Sequence, residues 1–328
     1  MKLTNKHNLP LSVAVWLASN TYNFVPKPNK FSATEMCKSI KAIVLGRRVD
    51  SANTEIDVSE LLMSKMGTAV HDAIENVWTN PKKLQASLKM LGLEEQFKDV
   101  LVNPEMPDDG FLQDNVAYTE KRKERKLPNG VSISGEFDFC LNGQLEDFKQ
   151  CKEFIFNSGM NDNKFRIQGS IYRWIHQDII TSNTTNITYL LKDWSPLRAM
   201  KDENYLQSGV QVNSLPLTSI EATEKSLLRK TNQIIECYEL PEDELPECSN
   251  EYLGMTSPEY KYYSDPNKTS GRCSKNFKDD APSAYAYLAS KGKGVIIPVY
   301  VPTAECTFCK ANSICEQYKR MKEDGEAL

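Results

Sequence analysis

The sequence predicts an α/β fold, a mixed central sheet flanked by helices, followed by a small C-terminal module that holds a cluster of cysteines. Three observations carry that expectation. A helical pattern, three strand-like runs, a second helical pattern and a further strand follow one another between residues 58 and 191. Asn142-Gly143 joins two of the strands, and this dipeptide suits a two-residue hairpin turn because both central residues need φ > 0. Near Leu240 the composition changes: Pro241, Pro246, Pro258 and Pro266 punctuate a loop-like stretch, and Cys306, Cys309 and Cys315 close in after it.

In chain order, residues 1–30 read as irregular, ending in Pro26-Lys27-Pro28. Ser32 to Arg48 has a helical pattern, with Ser32 and Thr34 as caps and Glu35 placed for a capping box. A second helix is expected over Val58–Trp78, where Val70, Ile74, Val77 and Trp78 form an apolar stripe. Residues 80–115 read as a short helix and a polar connection with Pro104 and Pro107. Strands are expected over Val116–Arg125, Val131–Leu141 and Gln144–Lys152, the first two joined through Pro128-Asn129-Gly130. A helix over Asn163–Ile179, a strand near Ile187–Leu191 and a long helix over Ser219–Tyr238 complete the core. The last module should have a helix around Pro282–Ser290 and a strand at Val295–Val301. The implied domains are an irregular segment (1–30), a core (31–240) and a cysteine module packed on it (241–328).

A chain of 328 residues can bury a full core, and its net charge of −4 argues against indiscriminate coating of nucleic acid. Two basic clusters stand out, Lys38/Lys41/Arg47/Arg48 and Lys121/Arg122/Lys123/Arg125/Lys126. Each reads as solvated surface unless it flanks a site for phosphates. The opening residues lack a secretory pattern, and the apolar run Leu11–Ala18 is too short to span a bilayer. An odd count of nine cysteines does not suit a secreted disulfide framework, so a reducing cytoplasm is the expected setting, with no membrane association.

The hairpin carries chemistry. With Asn142 and Gly143 at its turn, Leu141 pairs with Gln144, which puts Asp138 opposite Asp147 and Glu136 opposite Lys149. Facing side chains lie only ~4.5–5.5 Å apart at Cβ, and like charges at that distance need something positive between them. A hard divalent cation such as Mg²⁺ or Mn²⁺ suits the two carboxylates, and strand alternation brings Lys149 to the face of Asp147. Such a trio fits phosphodiester hydrolysis. One lysine supplies only ~4 kcal/mol against a required barrier reduction near the top of the ~8–23 kcal/mol range of enzymes. His71, one turn before Glu75, sits at the margin of the apolar stripe, and Gln168 and Tyr172 are one helical turn apart. The spacing Cys306-x2-Cys309-x5-Cys315 lets thiolates converge on zinc or an iron–sulfur cluster, with Cys248, Cys37 and Cys273 as contenders for a fourth ligand.

Together these residues resemble the PD-(D/E)xK nuclease superfamily, whose core has the restriction-endonuclease-like fold, and within it the RecB-type and phage exonucleases. The motifs that carry the resemblance are His71, Gly135-Glu136-Phe137-Asp138, Asp147-Phe148-Lys149 and Gln168-Gly169-Ser170-Ile171-Tyr172, in the family's order. The resemblance implies that His71, Asp138 and Asp147 ligate Mg²⁺ or Mn²⁺, that Lys149 serves catalysis, and that Gln168 and Tyr172 position the substrate strand. Glu120 is a further carboxylate on the preceding strand. The terminal cysteine pattern is similar to that of the iron–sulfur CRISPR-associated members, implying a [4Fe-4S] cluster, with Zn²⁺ as the alternative. Iron–sulfur relatives with a lone early cysteine favour Cys37 as fourth ligand, whereas the Pro246-Glu247-Cys248 pattern of phage-type relatives favours Cys248, the preferred reading. Gln150-Cys151 departs from the Ser or Thr that many relatives have after the lysine. The expected function is a DNA exonuclease acting on ends in phage recombination or replication, with DNA and recombination or replication proteins as partners. The alternatives are an endonuclease of the same fold, a catalytically inactive DNA- or protein-binding member, and a cysteine–metal scaffold.

Overall fold

The structure is a computed structural model that describes residues 2–19, 27–49, 55–105, 115–255, 258–269, 271–278, 280–299 and 305–324. Pro26, Pro107 and the end of the expected strand at residues 300–301 lie outside the described residues. By its internal contacts the chain divides into two units, Met1–Cys37 with Asp50–Asn232, and Lys38–Val49 with Gln233–Leu328. The sequence draws its divide at 240 and leaves residues 38–49 with the core. The grouping instead assigns them to the second unit.

The elements in order are β1 (Lys2–Thr4), α1 (Leu11–Ala18), β2 (Lys30–Ser32), α2 (Ala33–Met36), α3 (Ile40–Arg48, in the second unit), β3 (Glu55–Asp57), α4 (Leu62–Trp78), α5 (Pro81–Met90) and β4 (Leu101–Val102). They continue with β5 (Val116–Lys126), β6 (Ser132–Leu141), β7 (Gln144–Cys151), α6 (Glu153–Ser158), α7 (Asp162–Ile175), β8 (Thr184–Leu191), α8 (Pro196–Ala199), β9 (Val210–Pro216) and α9 (Ile220–Cys237), which crosses the divide. The first unit is a mixed α/β structure. Its main sheet runs β4-β5-β6-β7-β8-β9, with β2 also paired to β6. β5, β6 and β7 are antiparallel neighbours, β7 and β8 run parallel, and β8 and β9 antiparallel.

The hairpin turn forms as its dipeptide requires: Asn142 has φ 51° and Gly143 φ 80°. Its register starts as expected, with Leu141 opposite Gln144, Cys140 opposite Leu145 and Phe139 opposite Glu146. There the ladder stops. On its other edge β7 pairs in parallel with β8 all the way from Leu145 to Cys151. The other half of β6 is paired along Ser132–Ser134 by β2. Between those two partners no strand among the described residues pairs with Gly135-Glu136-Phe137-Asp138 on that edge, so the sheet forks where the acidic residues sit. The expected pairs Asp138–Asp147 and Glu136–Lys149 are therefore absent from the ladder, and Glu136 ion-pairs with Arg122 of β5.

Other differences have local causes. Residues 1–30, read as irregular, contain β1, α1 and the start of β2. The strands are too short for alternation to register, and α1 (LSVAVWLA) is apolar apart from Ser12 and lacks a side-chain cap. The expected helix over 32–48 is two. Ser32 and Glu35 form the predicted capping box, but Ser39 starts a new helix by accepting from the Ala42 amide. The helix expected from Val58 begins as a 3₁₀ turn, Val58–Leu61. Edge strand β9 alternates with its valines outward, Val210 and Val212 being exposed, so its pattern does not mark a core-facing strand.

In the second unit, β10 (Glu259–Tyr263) lies between β11 (Lys275–Lys278) and β12 (Val295–Val299) in an antiparallel sheet, although its stretch reads as loop in the sequence. Helix α10 (Ala281–Lys291) buries Ala284 with Tyr262 and Ile296, and α11 (Glu316–Glu323) packs Met321 with Leu253 and Met255. Arg48 ties α3 to the carbonyls of Tyr238 and Leu240, each at 2.7 Å. Among the described residues no helix is long and apolar enough to cross a membrane.

Candidate metal centre and active site

The fork in the sheet positions the acidic residues. Deprived of a strand partner, Asp138 reaches across the opening and accepts a hydrogen bond from the Phe148 amide at 2.9 Å. Helix α4 brings His71 to the same place, with Nε2 3.6 Å from Asp138 Oδ2 and 3.3 Å from the Phe148 carbonyl oxygen. Its Nδ1 lies 3.8 Å from Glu120 Oε1 on β5. Ligand atoms of His71, Glu120 and Asp138 all fall within 4.8 Å of one another, the one such group of three among the described residues.

Glu120 occupies a distorted point. The β5–β6 ladder pairs Thr119 with Phe139 and Lys121 with Phe137, skipping the intervening pair, and Glu120 has φ 46°. A non-glycine residue in that region costs of order ~1–3 kcal/mol, and such strain concentrates at functional sites. The same register that closes through Pro128-Asn129-Gly130 sets Glu120 against Asp138. The sequence names Glu120 only as a further carboxylate on the preceding strand; counting outward from that turn gives its pairing with Asp138.

The electrostatics are those of crowded acids. Burial, then Asp138, Glu136, Glu75 and Asp72, push the Glu120 carboxyl up to about 8. Burial and then Asp147 push Asp138 up to about 6. A bound cation would relieve this crowding, and a donor set of one imidazole and carboxylates suits Mn²⁺ or Mg²⁺. Asp147 is buried and ion-pairs through Oδ2 with Lys149, whose ammonium also lies 5.4 Å from the Phe165 ring centre. Burial alone would lower the Lys149 pKa, but Asp147 and Asp138 outweigh it and raise it. Lys149 is therefore an ammonium at neutral pH.

Helix α7 closes the site from another side. Gln168 Nε2 donates to Tyr172 Oη at 2.8 Å, and burial followed by Asp147 and Asp138 holds the Tyr172 hydroxyl well above its usual pKa. This approach depends on Gly135: a Cβ there would stand 2.7 Å from Ile175 Cδ1 and 3.0 Å from Tyr172 Cδ1. A cleft of about 790 Å³ opens beside these groups, lined among others by His71, Glu120, Lys149, Arg122 and Lys192.

The structure thus brings His71, Asp138, Asp147, Lys149, Gln168 and Tyr172 into one neighbourhood. The tight trio, however, is His71, Glu120 and Asp138, while Asp147 is held by Lys149. Much of the β5 basic cluster is committed to intramolecular contacts. Arg122 pairs with Glu136, Lys123 with Asp178 at 2.8 Å, and Arg125 lies over the Trp174 ring and donates to its carbonyl oxygen. In the other cluster Lys41 is buried.

Within the second unit, Cys248, Cys306, Cys309 and Cys315 line one small cavity of about 20 Å³, together with Lys41 of α3. Ser39 Oγ and Cys248 Sγ are 2.8 Å apart. Burial, then Cys248, Cys315 and Cys309, push the Cys306 thiol up to about 12. Burial also raises Cys248, which Ser39 and Lys41 counteract. Cys37 belongs to the first unit, where its charged neighbours are Lys230, Lys164, Asp147 and Lys149, and burial pushes its thiol up to about 11.

No family model and no curated protein matches the chain. Among solved structures it is similar to the crystal structure of SSO0001, at 14% identity over 70% of this chain and 85% of that one, with a TM-score of 0.41. It is also similar, more weakly, to a phage-related exonuclease from Haemophilus somnus 129PT, at 11% identity over 50% of this chain and 87% of that one, with a TM-score of 0.23.

Proposed function

We propose that the chain is a Mg²⁺- or Mn²⁺-dependent DNA nuclease, acting as an exonuclease on DNA ends. The observation that carries this reading is the convergence of His71, Glu120 and Asp138 beside the Asp147–Lys149 ion pair in an open cleft. In this reading His71, Glu120 and Asp138 hold the ion, with Asp147 adjoining. When bound, a divalent ion polarises the phosphoryl oxygen and lowers the pKa of water. Lys149, fixed by Asp147, sets its positive charge where negative charge develops on the phosphoryl group. Electrostatic donors so placed contribute roughly 10²–10³-fold in rate. Tyr172 keeps its proton, and its hydroxyl, held by the hydrogen bond from Gln168, braces the acidic side of the site from within.

The cysteine pocket fits a metal group by its donor chemistry: four thiols share a cavity, and Cys248, Cys315 and Cys309 add to burial in raising the Cys306 thiol. In the same proposal it holds a [4Fe-4S] cluster. Zn²⁺ held tetrahedrally by the same thiolates is the alternative, and the iron and zinc content of anaerobically purified protein distinguishes the two.

The test is digestion of end-labelled linear duplex and single strand beside a closed circle, with Mg²⁺, Mn²⁺ or EDTA. The expected result is metal-dependent loss of label from linear DNA and an intact circle, abolished by Asp138→Asn and reduced about 10²–10³-fold by Lys149→Ala. Cutting of the circle would make it an endonuclease. Metal-dependent binding without hydrolysis would make it an inactive member of the fold.

A further inference from the structure

A second depression adjoins the catalytic cleft. It has a volume of about 630 Å³ and is lined by Trp16 of α1, by Met66, Ile74, Val77 and Trp78 of α4, and by apolar neighbours, with no charged side chain among the lining residues. No residue of α4 is buried, so the apolar stripe that makes it amphipathic is not consumed by the core. Trp16 is 39% exposed and Met66 40%. Trp78 is braced from behind by Phe139, ring centres 4.7 Å apart. The groove therefore has one firm aromatic wall and one open indole.

What it takes follows from its continuity with the cleft. Val70, Gln150 and Leu190 line both spaces. Any molecule whose phosphate enters the cleft beside Lys149 brings whatever is attached to that phosphate against this shared wall. In a nucleic acid the attached group is a flat, uncharged base. The groove excludes phosphates by its lack of charge and suits bases by its aromatic faces. Gln150, whose side-chain amide is already oriented by donation to the Met66 carbonyl oxygen at 2.9 Å, stands at the junction. We infer that the groove receives the unstacked base beside the scissile phosphate, which makes single-stranded or frayed DNA the substrate of this site. Bases inside a duplex are stacked on both faces and reach such a surface only by leaving the stack. The inference deepens the nuclease reading and rests on it.

The experiment compares two phosphodiesters under the same metal: a single-stranded deoxyoligonucleotide and the same oligonucleotide with an abasic site at its terminal linkage. Trp16→Ala is expected to lower kcat/KM on the oligonucleotide by roughly 10- to 100-fold, the scale of one lost base–aromatic stack. It should leave the abasic oligonucleotide within about 2-fold of the parent, and Trp16→Phe should restore most of the loss. Equal losses on both substrates would show a structural role and overturn the inference. So would unchanged cleavage by Trp16→Ala, or preferential attack on blunt duplex. If the chain hydrolyses no nucleic acid, the nuclease reading fails by itself, and quenching of Trp16 fluorescence in Ca²⁺ still decides the groove. Quenching by the oligonucleotide but not by its abasic counterpart supports a base site. Equal quenching by both, or by neither, assigns the groove to another occupant such as a protein.

Discussion

Glu120 and Asp138 stand opposite each other where the β5–β6 ladder is interrupted, and the price of that arrangement is a left-handed backbone at Glu120. Both carboxyls are raised by burial and by neighbouring acids, so the site resists full ionisation until a cation arrives.

Replacing Glu120 with glycine should separate stability from binding. Glycine adopts φ 46° without strain, and the substitution also removes one of the crowded acids. The metal-free variant is expected to be stabilised by about 1 kcal/mol, while Mn²⁺ affinity measured by calorimetry falls at least 10-fold. A destabilised variant with unchanged affinity would mean that Glu120 neither strains the strand nor faces the ion.

Metal affinity should also depend on pH in a defined window. A carboxyl must lose its proton to bind a cation, and the two here hold theirs up to about 8 and about 6. Mn²⁺ affinity is therefore expected to rise from pH 6 to 8. In Glu120→Gln the upper part of that rise should disappear. A flat profile in the parent protein would contradict the crowded-acid geometry.

Gly135→Ala tests the seat of α7. The added Cβ meets Ile175 Cδ1 at 2.7 Å and Tyr172 Cδ1 at 3.0 Å in a closed interior. Overpacking of this kind costs about 1–3 kcal/mol. Urea denaturation should show that loss, and Ile175→Val, which deletes the clashing methyl, should recover part of it in the double variant.

His176 makes the fold acid-sensitive. Burial depresses its pKa from 6.5 to about 4, its ring meets Phe137 edge-on, and its Nε2 lies 3.3 Å from the Gly135 carbonyl oxygen. The unfolded chain takes up a proton below pH 6.5 that the folded chain refuses until about pH 4. Stability from this residue is thus present above pH 6.5 and lost as pH falls through that window, by about 2 kcal/mol between pH 7 and 5. His176→Gln should be less stable at pH 7 but should lose correspondingly less on acidification. Urea midpoints at the two pH values measure the difference.

Cys248 and Cys37 sit in different chemical surroundings, so serine substitutions should diverge. Cys248→Ser is expected to reduce bound iron in anaerobically purified protein and to lower the thermal midpoint. Cys37→Ser should leave iron content unchanged. The reverse pattern would reassign the fourth ligand.

Local chemistry was legible in the chain by itself. Asn142-Gly143 sets its own φ values, Ser32 and Glu35 cap their own helix, and residues two apart on a strand share a face. The mixed α/β plan and the start of the hairpin register could be read this way, whereas His71, Gln168 and Tyr172 became candidates only through the resemblance of the ordered motifs. Only the tertiary structure decided that β7 leaves β6 after Glu146: the Asp138 carboxylate takes the Phe148 amide, while β8, some 40 residues away, holds the opposite edge of β7, and no short-range pattern encodes either contact. The same departure turned an expected row of facing aspartates into a fork, in which Asp138 meets His71 and Glu120 while Asp147 goes to Lys149. Side-chain alternation is a property of one strand. Which strands remain paired depends on the burial of the whole sheet.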